Sequence, residues 1–170
     1  MGAIISHKPI LHTVPPLAEV TEVTVLFRPD ILFNDGLNIP VEITAANIFL
    51  LSNPEKKYKA ATVLAHLDTG ASSTSIDLSL AEELGLEATG TCKIATAAGI
   101  VPVPTFTVNI SFPNTNLSPF TDLAINSSRL GYKSDNPSSP RNFGILIGRD
   151  IMSRWNIVWN GPSSTVFIND

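Results

Sequence analysis

Apolar residues in this chain fall into short runs that alternate with polar ones or fill completely, and rarely at helical spacing. Phe106, Val108, Ile110 and Phe112 alternate with Thr105, Thr107, Asn109 and Ser111, so 100–112 reads as a strand with one buried face. With 91–96 and the small residues Ala97-Ala98-Gly99 it makes a hairpin. Pro102 and Pro104 lack backbone donors, which puts the first part of the return strand at a sheet edge and makes the tip project. Further strands are predicted at 21–27, 41–51, 57–67, 121–126 and 143–147, with a terminal hairpin of 156–160 and 165–169 around Gly161-Pro162. The pair 41–51 and 57–67, joined by Ser52-Asn53-Pro54-Glu55-Lys56, reads as one hairpin. Arg28-Pro29-Asp30 ends the strand at 21–27, and a turn is expected around Asn34-Asp35-Gly36.

Helical signals are few. Ser79 with Glu82 forms a capping box, Leu80 and Leu84 share a helical face, and Gly85 is a stop signal. Residues 151–155 read as a second short helix, with Asp150 suited to its N-terminal end. The fold class is therefore all-β with one or two short helices.

Residues 1–19 show neither period, so 1–38 is expected to be an N-terminal arm with one strand, and 39–170 the domain proper. The polar stretch 127–142, with Pro137 and Pro140 among serines, reads as a surface insertion. A length of 170 residues suits one domain.

Charge and cysteine content narrow the partners. Eleven Lys and Arg against fifteen Asp and Glu give a formal charge of −4, with no basic footprint for nucleic acid or an acidic membrane surface. No apolar run approaches the ~18 residues of a membrane span. Cys92 is the single cysteine, and the first residues lack the pattern of a signal peptide, so a cytoplasmic setting is the default expectation. No spacing of His, Cys, Asp and Glu suggests a metal, and no motif calls for a cofactor.

The candidate chemistry lies at Asp68-Thr69-Gly70-Ala71-Ser72, directly after the apolar run 60–67. An apolar strand ending there presents a carboxylate at a tight turn, where glycine permits close backbone approach. A glycine-rich phosphate loop and a nucleophilic serine elbow are both lacking in the sequence.

An apolar strand ending in Asp-Thr-Gly-Ala, a projecting hairpin, then Ile145-Leu146-Ile147-Gly148-Arg149-Asp150 with a short helix and terminal strands, resembles the retropepsin-like aspartic proteases over roughly residues 40–170. The resemblance implies a closed β-barrel-type acid protease fold. Since the chain carries a single Asp-Thr-Gly, it further implies an obligate twofold homodimer in which Asp68 meets its own copy. Two carboxylates so close cannot both ionise easily, a property of aspartic protease dyads in general. One would activate water, and the other would polarise the peptide carbonyl.

By the same resemblance, Thr69 supports the dyad and Gly70 admits substrate backbone. Ala71 and Ser72 line the cleft, the hairpin tip Thr96-Ala97-Ala98-Gly99 acts as a flap over an extended peptide, and Gly148 borders the site. The terminal strands of both chains would interleave, with Trp155, Trp159 and Phe167 in the core or interface. Relatives of viral type commonly carry an acid where Ser72 stands, and Arg149 resembles the arginine that pairs with it, so the partner of Arg149 is open. His66, two residues before Asp68 on the same strand face and about 7 Å along the chain, could border a subsite or simply be packed there. The expected activity is aspartic endopeptidase. The competing expectation is an inert peptide-binding or assembly module on the same fold.

Overall fold

The computed structural model describes residues 36–52, 54–96, 99–133 and 143–170. The expected strand at 21–27, the turn residues Asn34 and Asp35, the hairpin-tip residues Ala97 and Ala98, and 134–142 of the expected insertion lie outside them.

Nine strands and three short helices follow one another among the described residues. They are β1 (Asn38–Ala45), α1 (Asn47–Ser52), β2 (Ala61–Leu67), β3 (Ser75–Asp77), α2 (Leu78–Leu84), β4 (Ala88–Thr96), β5 (Gly99–Ser111), β6 (Phe120–Ser128), β7 (Ile145–Ile147), α3 (Arg149–Met152), β8 (Asn156–Asn160) and β9 (Thr165–Asn169). Seven strands form one sheet in the order β1-β2-β7-β3-β6-β5-β4, and β1 pairs in addition with β5, so the sheet curls back upon itself. Strands β8 and β9 form a separate two-stranded antiparallel sheet.

Alternation explains the inside of this curl. Ile39, Val41 and Ile43 of β1, Val63, Ala65 and Leu67 of β2, Phe106, Val108 and Ile110 of β5, and Ile145 and Ile147 of β7 all point into one buried cluster. The face predicted from the period-2 pattern of 105–112 is the buried one. Pro102 and Pro104 pair only with β4, while β6 joins β5 from Thr105 onward. The donor-less prolines thus sit where the hairpin has left the wider sheet. Trp155 packs edge-on against Phe112, whereas Trp159 on β8 is exposed.

Three local expectations need correction. The apolar stretch 41–51 is not one strand. β1 stops at Ala45, and Asn47–Ser52 turns as α1, whose Phe49 and Leu50 amides both reach the Ala46 carbonyl. Short apolar runs fit either element, and here the side chain of Asn109 ends the strand by donating to the Ala45 carbonyl. The helix leaves Ile48, Leu50 and Leu51 exposed.

The cap of α2 is Asp77 rather than Ser79. Its carboxylate accepts from the Ser79 amide at 2.9 Å, and the helix starts two residues earlier than the capping-box reading implies. Gly85 closes it in the left-handed conformation at φ 72°, as the stop signal predicts.

The third correction concerns 127–142. Ser127 and Ser128 belong to β6, and Ser127 is buried. The following backbone is tied down by Asp77, whose Oδ2 accepts from the amides of Leu130 at 2.7 Å and Gly131 at 3.1 Å. A carboxylate that caps a helix with one oxygen and gathers loop amides with the other is satisfied, although only 4 % exposed.

Candidate active site

Asp68 stands at the exit of β2, where the strand is held on both sides. Its amide donates to the Ile147 carbonyl at 3.0 Å, and the preceding Leu67 amide donates to Leu37. β2 runs parallel to β7, and β7 runs antiparallel to β3, so the chain leaving β2 crosses the end of β7 before it returns as β3. This crossing positions the turn 68–74.

Within the turn, the Gly70 amide donates to Asp68 Oδ1 at 2.7 Å, and the Ala71 amide to the Asp68 carbonyl at 3.1 Å. The Asp68 side chain is half-buried, while Thr69, Gly70 and Ser72 are exposed. A carboxylate with one oxygen held by a backbone amide, at the rim of a structured turn, has its orientation set before any ligand arrives.

Close approach beneath the turn depends on Gly148. A Cβ at that position would lie 2.5 Å from the Ser73 carbonyl carbon, so only glycine lets the end of β7 pass there. Gly148, expected among the substrate-contacting residues, is buried against this backbone. Its amide donates to Thr74 Oγ1 at 3.1 Å.

Thr74, which carries no signal in the sequence, and Asp150, read there only as a helix-start residue, lock the turn to α3. Thr74 is fully buried; its amide donates to Asp150 Oδ2 at 2.8 Å and its hydroxyl to Asp150 Oδ1 at 2.8 Å. Asp150 Oδ1 also accepts from the Ile151 amide. Asp150 was legible as a helix-start residue, but nothing in the sequence pointed to a threonine 76 positions earlier.

The open question of Arg149 has a geometric answer. With serine at 72, its guanidinium donates to the carbonyls of Thr69 at 2.7 Å and Gly70 at 3.1 Å. Its own amide donates to the Ala71 carbonyl at 3.0 Å. One arginine therefore binds three successive carbonyls of the acidic turn.

His66 lies on the same β2 face as Asp68. Its Nδ1 is 2.8 Å from Asn38 Oδ1, and its ring stacks on Phe143 at 5.0 Å between centroids. Thr96 closes β4 and pairs with Gly99, the first residue of β5, and the exposed Ile100 and Val101 follow. Among the described residues no group of His, Cys, Asp and Glu could hold a metal ion.

Solved structures similar to the chain include the following two. One is a retropepsin-like aspartic protease from Rickettsia conorii, with 12% identity, 78% of this chain and 89% of that one covered, and a TM-score of 0.42. The other is the retroviral protease-like domain of Ddi1 from Leishmania major, with 15% identity, coverage of 79% and 90%, and a TM-score of 0.36. Likenesses of this extent carry no argument about activity. No curated protein matches the chain. A family model described as aspartyl protease matches residues 57–150, a span that runs from the approach to Asp68 through Gly148 and Asp150. The chain belongs to the aspartyl protease family.

Proposed function

We propose that the protein is an aspartic endopeptidase of retropepsin type, working as a twofold homodimer in which Asp68 of each chain forms the catalytic pair. The observation that carries this reading is the preset Asp68 carboxylate, held by the Gly70 amide on a turn that Arg149 and Gly148 fix from below. Hydrolysis of a peptide bond by general acid and base needs two groups in opposite protonation states. The chain carries one Asp-Thr-Gly, so the second carboxylate comes from a second copy.

In the dimer the pair shares a proton. The charged carboxylate removes a proton from a water between the two, the water oxygen bonds to the peptide carbonyl carbon, and the protonated carboxyl donates to the carbonyl oxygen. Collapse of the tetrahedral adduct then breaks the C–N bond, with a proton passing to the leaving amine. Thr69 supports the pair, and Gly70, Ala71, Ser72 and His66 line the cleft. The β4–β5 hairpin, from Thr96 to Gly99 at its tip, closes over an extended peptide. The sheet of β8 and β9, with Val158 and Trp159 exposed, is the surface that pairs with the second copy.

The deciding experiment is a peptide-library cleavage assay on the wild type and Asp68→Asn, with sedimentation to give the mass in solution. Cleavage by the wild type, its loss in Asp68→Asn and a dimer mass are expected. Equal activity of the two proteins overturns the reading. Tight binding of peptides without cleavage by either would instead identify an inert binding module.

A further inference from the structure

The pairing register places a continuous row of side chains across the sheet on the face that carries Asp68. His66 pairs with Leu146, Leu146 with Ser75, Ser75 with Asn126, and Asn126 with Thr105. In each strand the flanking positions are the buried ones: Ala65 and Leu67, Ile145 and Ile147, Ile76, Ile125, Phe106. The row therefore lies on the side away from the core. Yet every member is half-buried, whereas Thr62 and Leu64, farther from Asp68 on the same face of β2, are exposed. On the peptide-cleft reading, this partly covered face beside Asp68 is the floor of the cleft.

Polar groups dominate one end of this floor. Asn126 bridges it, accepting on Oδ1 from the Cys92 thiol of β4 at 2.9 Å and donating from Nδ2 to Ser73 Oγ, also at 2.9 Å. Ser73 belongs to the turn that follows Asp68, and Cys92 to the hairpin that leads to Gly99. A side-chain amide has two N–H donors and two acceptor lone pairs. Each bridge bond uses one, so Asn126 keeps one donor and one acceptor, and Ser73 keeps its own O–H.

We infer that Asn126, with Ser73, is a specificity-determining element that selects an extended peptide bearing a carboxamide side chain, Asn or Gln, in the subsite above this bridge. A carboxamide offers a donor and an acceptor on one planar group, matching what Asn126 and Ser73 leave unused. An aliphatic side chain would strand those groups without water, which is why a polar subsite rejects apolar analogues strongly. A carboxylate would meet the remaining Asn126 lone pair and has no cation in the bridge to balance its charge. Leu146, next in the row, supplies apolar contact for the methylene stem.

This inference rests on the peptide-cleft reading of the Asp68 face. Its test uses the full chain and statine-containing peptides that differ only in carrying Gln, Leu or Glu at each position beside the statine. Calorimetry gives their affinities, and cleavage of statine-free counterparts is followed in parallel. At one position the Gln peptide is expected to bind about tenfold tighter than the Leu peptide, the worth of one well-formed hydrogen bond. Asn126→Leu and Ser73→Ala are each expected to shrink that preference. Uniform weakening of all peptides by both variants, with the ranking kept, would mean that the bridge is only a clamp and overturn the inference. Should the variants fail to fold, the wild-type ranking decides, and a preference for Leu or Glu at every position overturns it. Cleavage without any carboxamide preference defeats this inference alone. A wild type that neither binds nor cleaves any of the peptides defeats the protease reading as well.

Discussion

Arg149 donates from one guanidinium nitrogen to the Thr69 carbonyl at 2.7 Å and the Gly70 carbonyl at 3.1 Å, tying the start of α3 to the acidic turn. Residue 72 is a serine, and the guanidinium binds these backbone carbonyls. Arg149→Ala should lower kcat/KM through disorder of the turn, at a stability cost of about 1–2 kcal/mol for the lost charge-assisted bonds. Arg149→Lys should recover part of the activity, because both bonds come from one nitrogen and an ammonium also carries several donors, though on a more flexible stem. Peptide cleavage beside urea unfolding of both variants checks this. Wild-type activity in Arg149→Ala would show that the turn holds its shape without the arginine.

Gly148 and Gly85 separate two reasons for requiring glycine. Alanine at 148 would push a methyl to 2.5 Å from the Ser73 carbonyl carbon, between two backbones that cannot yield cheaply. Alanine at 85 would meet no atom within 4 Å, but the φ of 72° is left-handed. Gly85→Ala should cost about 1 kcal/mol. Gly148→Ala should cost upwards of about 3 kcal/mol, at or beyond the upper end for overpacking, and abolish cleavage. Denaturant midpoints of the two proteins test the ordering, and equal midpoints would contradict it.

Asp77 is a buried carboxylate whose two oxygens hold the amides of Ser79, Leu130, Gly131 and, at 3.4 Å, Tyr132. Asp77→Ala strands those donors and removes the α2 cap, so a loss of about 3–4 kcal/mol is expected. Asp77→Asn keeps one acceptor oxygen and should fall between alanine and the wild type. Amide exchange of Leu130 and Gly131 gives a local readout: protection should fall in both variants, most in alanine.

Asp170 supplies a pH dependence. Hydrogen bonding from Ser118, its hydroxyl first and its backbone amide second, holds the Asp170 carboxyl below the ordinary value. The Ser118 amide lies 2.7 Å from Oδ2. A carboxyl lowered on folding stabilises the folded chain above the unfolded value, and that contribution disappears as pH falls through the folded one. Protection of the β9 amides, measured against their intrinsic exchange rates, should therefore fall toward strongly acidic pH, and Asp170→Asn should flatten this local change. The carboxylate is exposed, so the effect on global stability is small. An unchanged pH profile of β9 exchange in Asp170→Asn would remove Asp170 as its source.

Much of the architecture follows from the one-dimensional pattern. Alternation in 105–112 marked the buried face of β5, the two prolines marked where its hairpin leaves the wider sheet, and Gly85 ended α2. The run before Asp68 and the Ile-Leu-Ile before Gly148 marked two strand ends. Such features were readable because strand faces, turns and caps depend on neighbours a few residues apart. The helix at 47–52 escaped that reading because its four-residue apolar run, Ile48 to Leu51, has no decisive period, and a side chain from β5 ended the strand.

Only the tertiary structure decided which groups meet. Thr69 and Arg149 are 80 positions apart, and Asp77 and Leu130 are 53. The first pairing depends on β7 entering between β2 and β3, the second on the parallel register of β3 with β6. The same register carries Asn126 to Ser73, on a row that also holds His66. Sequence determined that an aspartate would stand at the end of a buried strand. The crossing of strands determined what holds that aspartate, because register and crossing are properties of the assembled sheet that no local run of residues encodes.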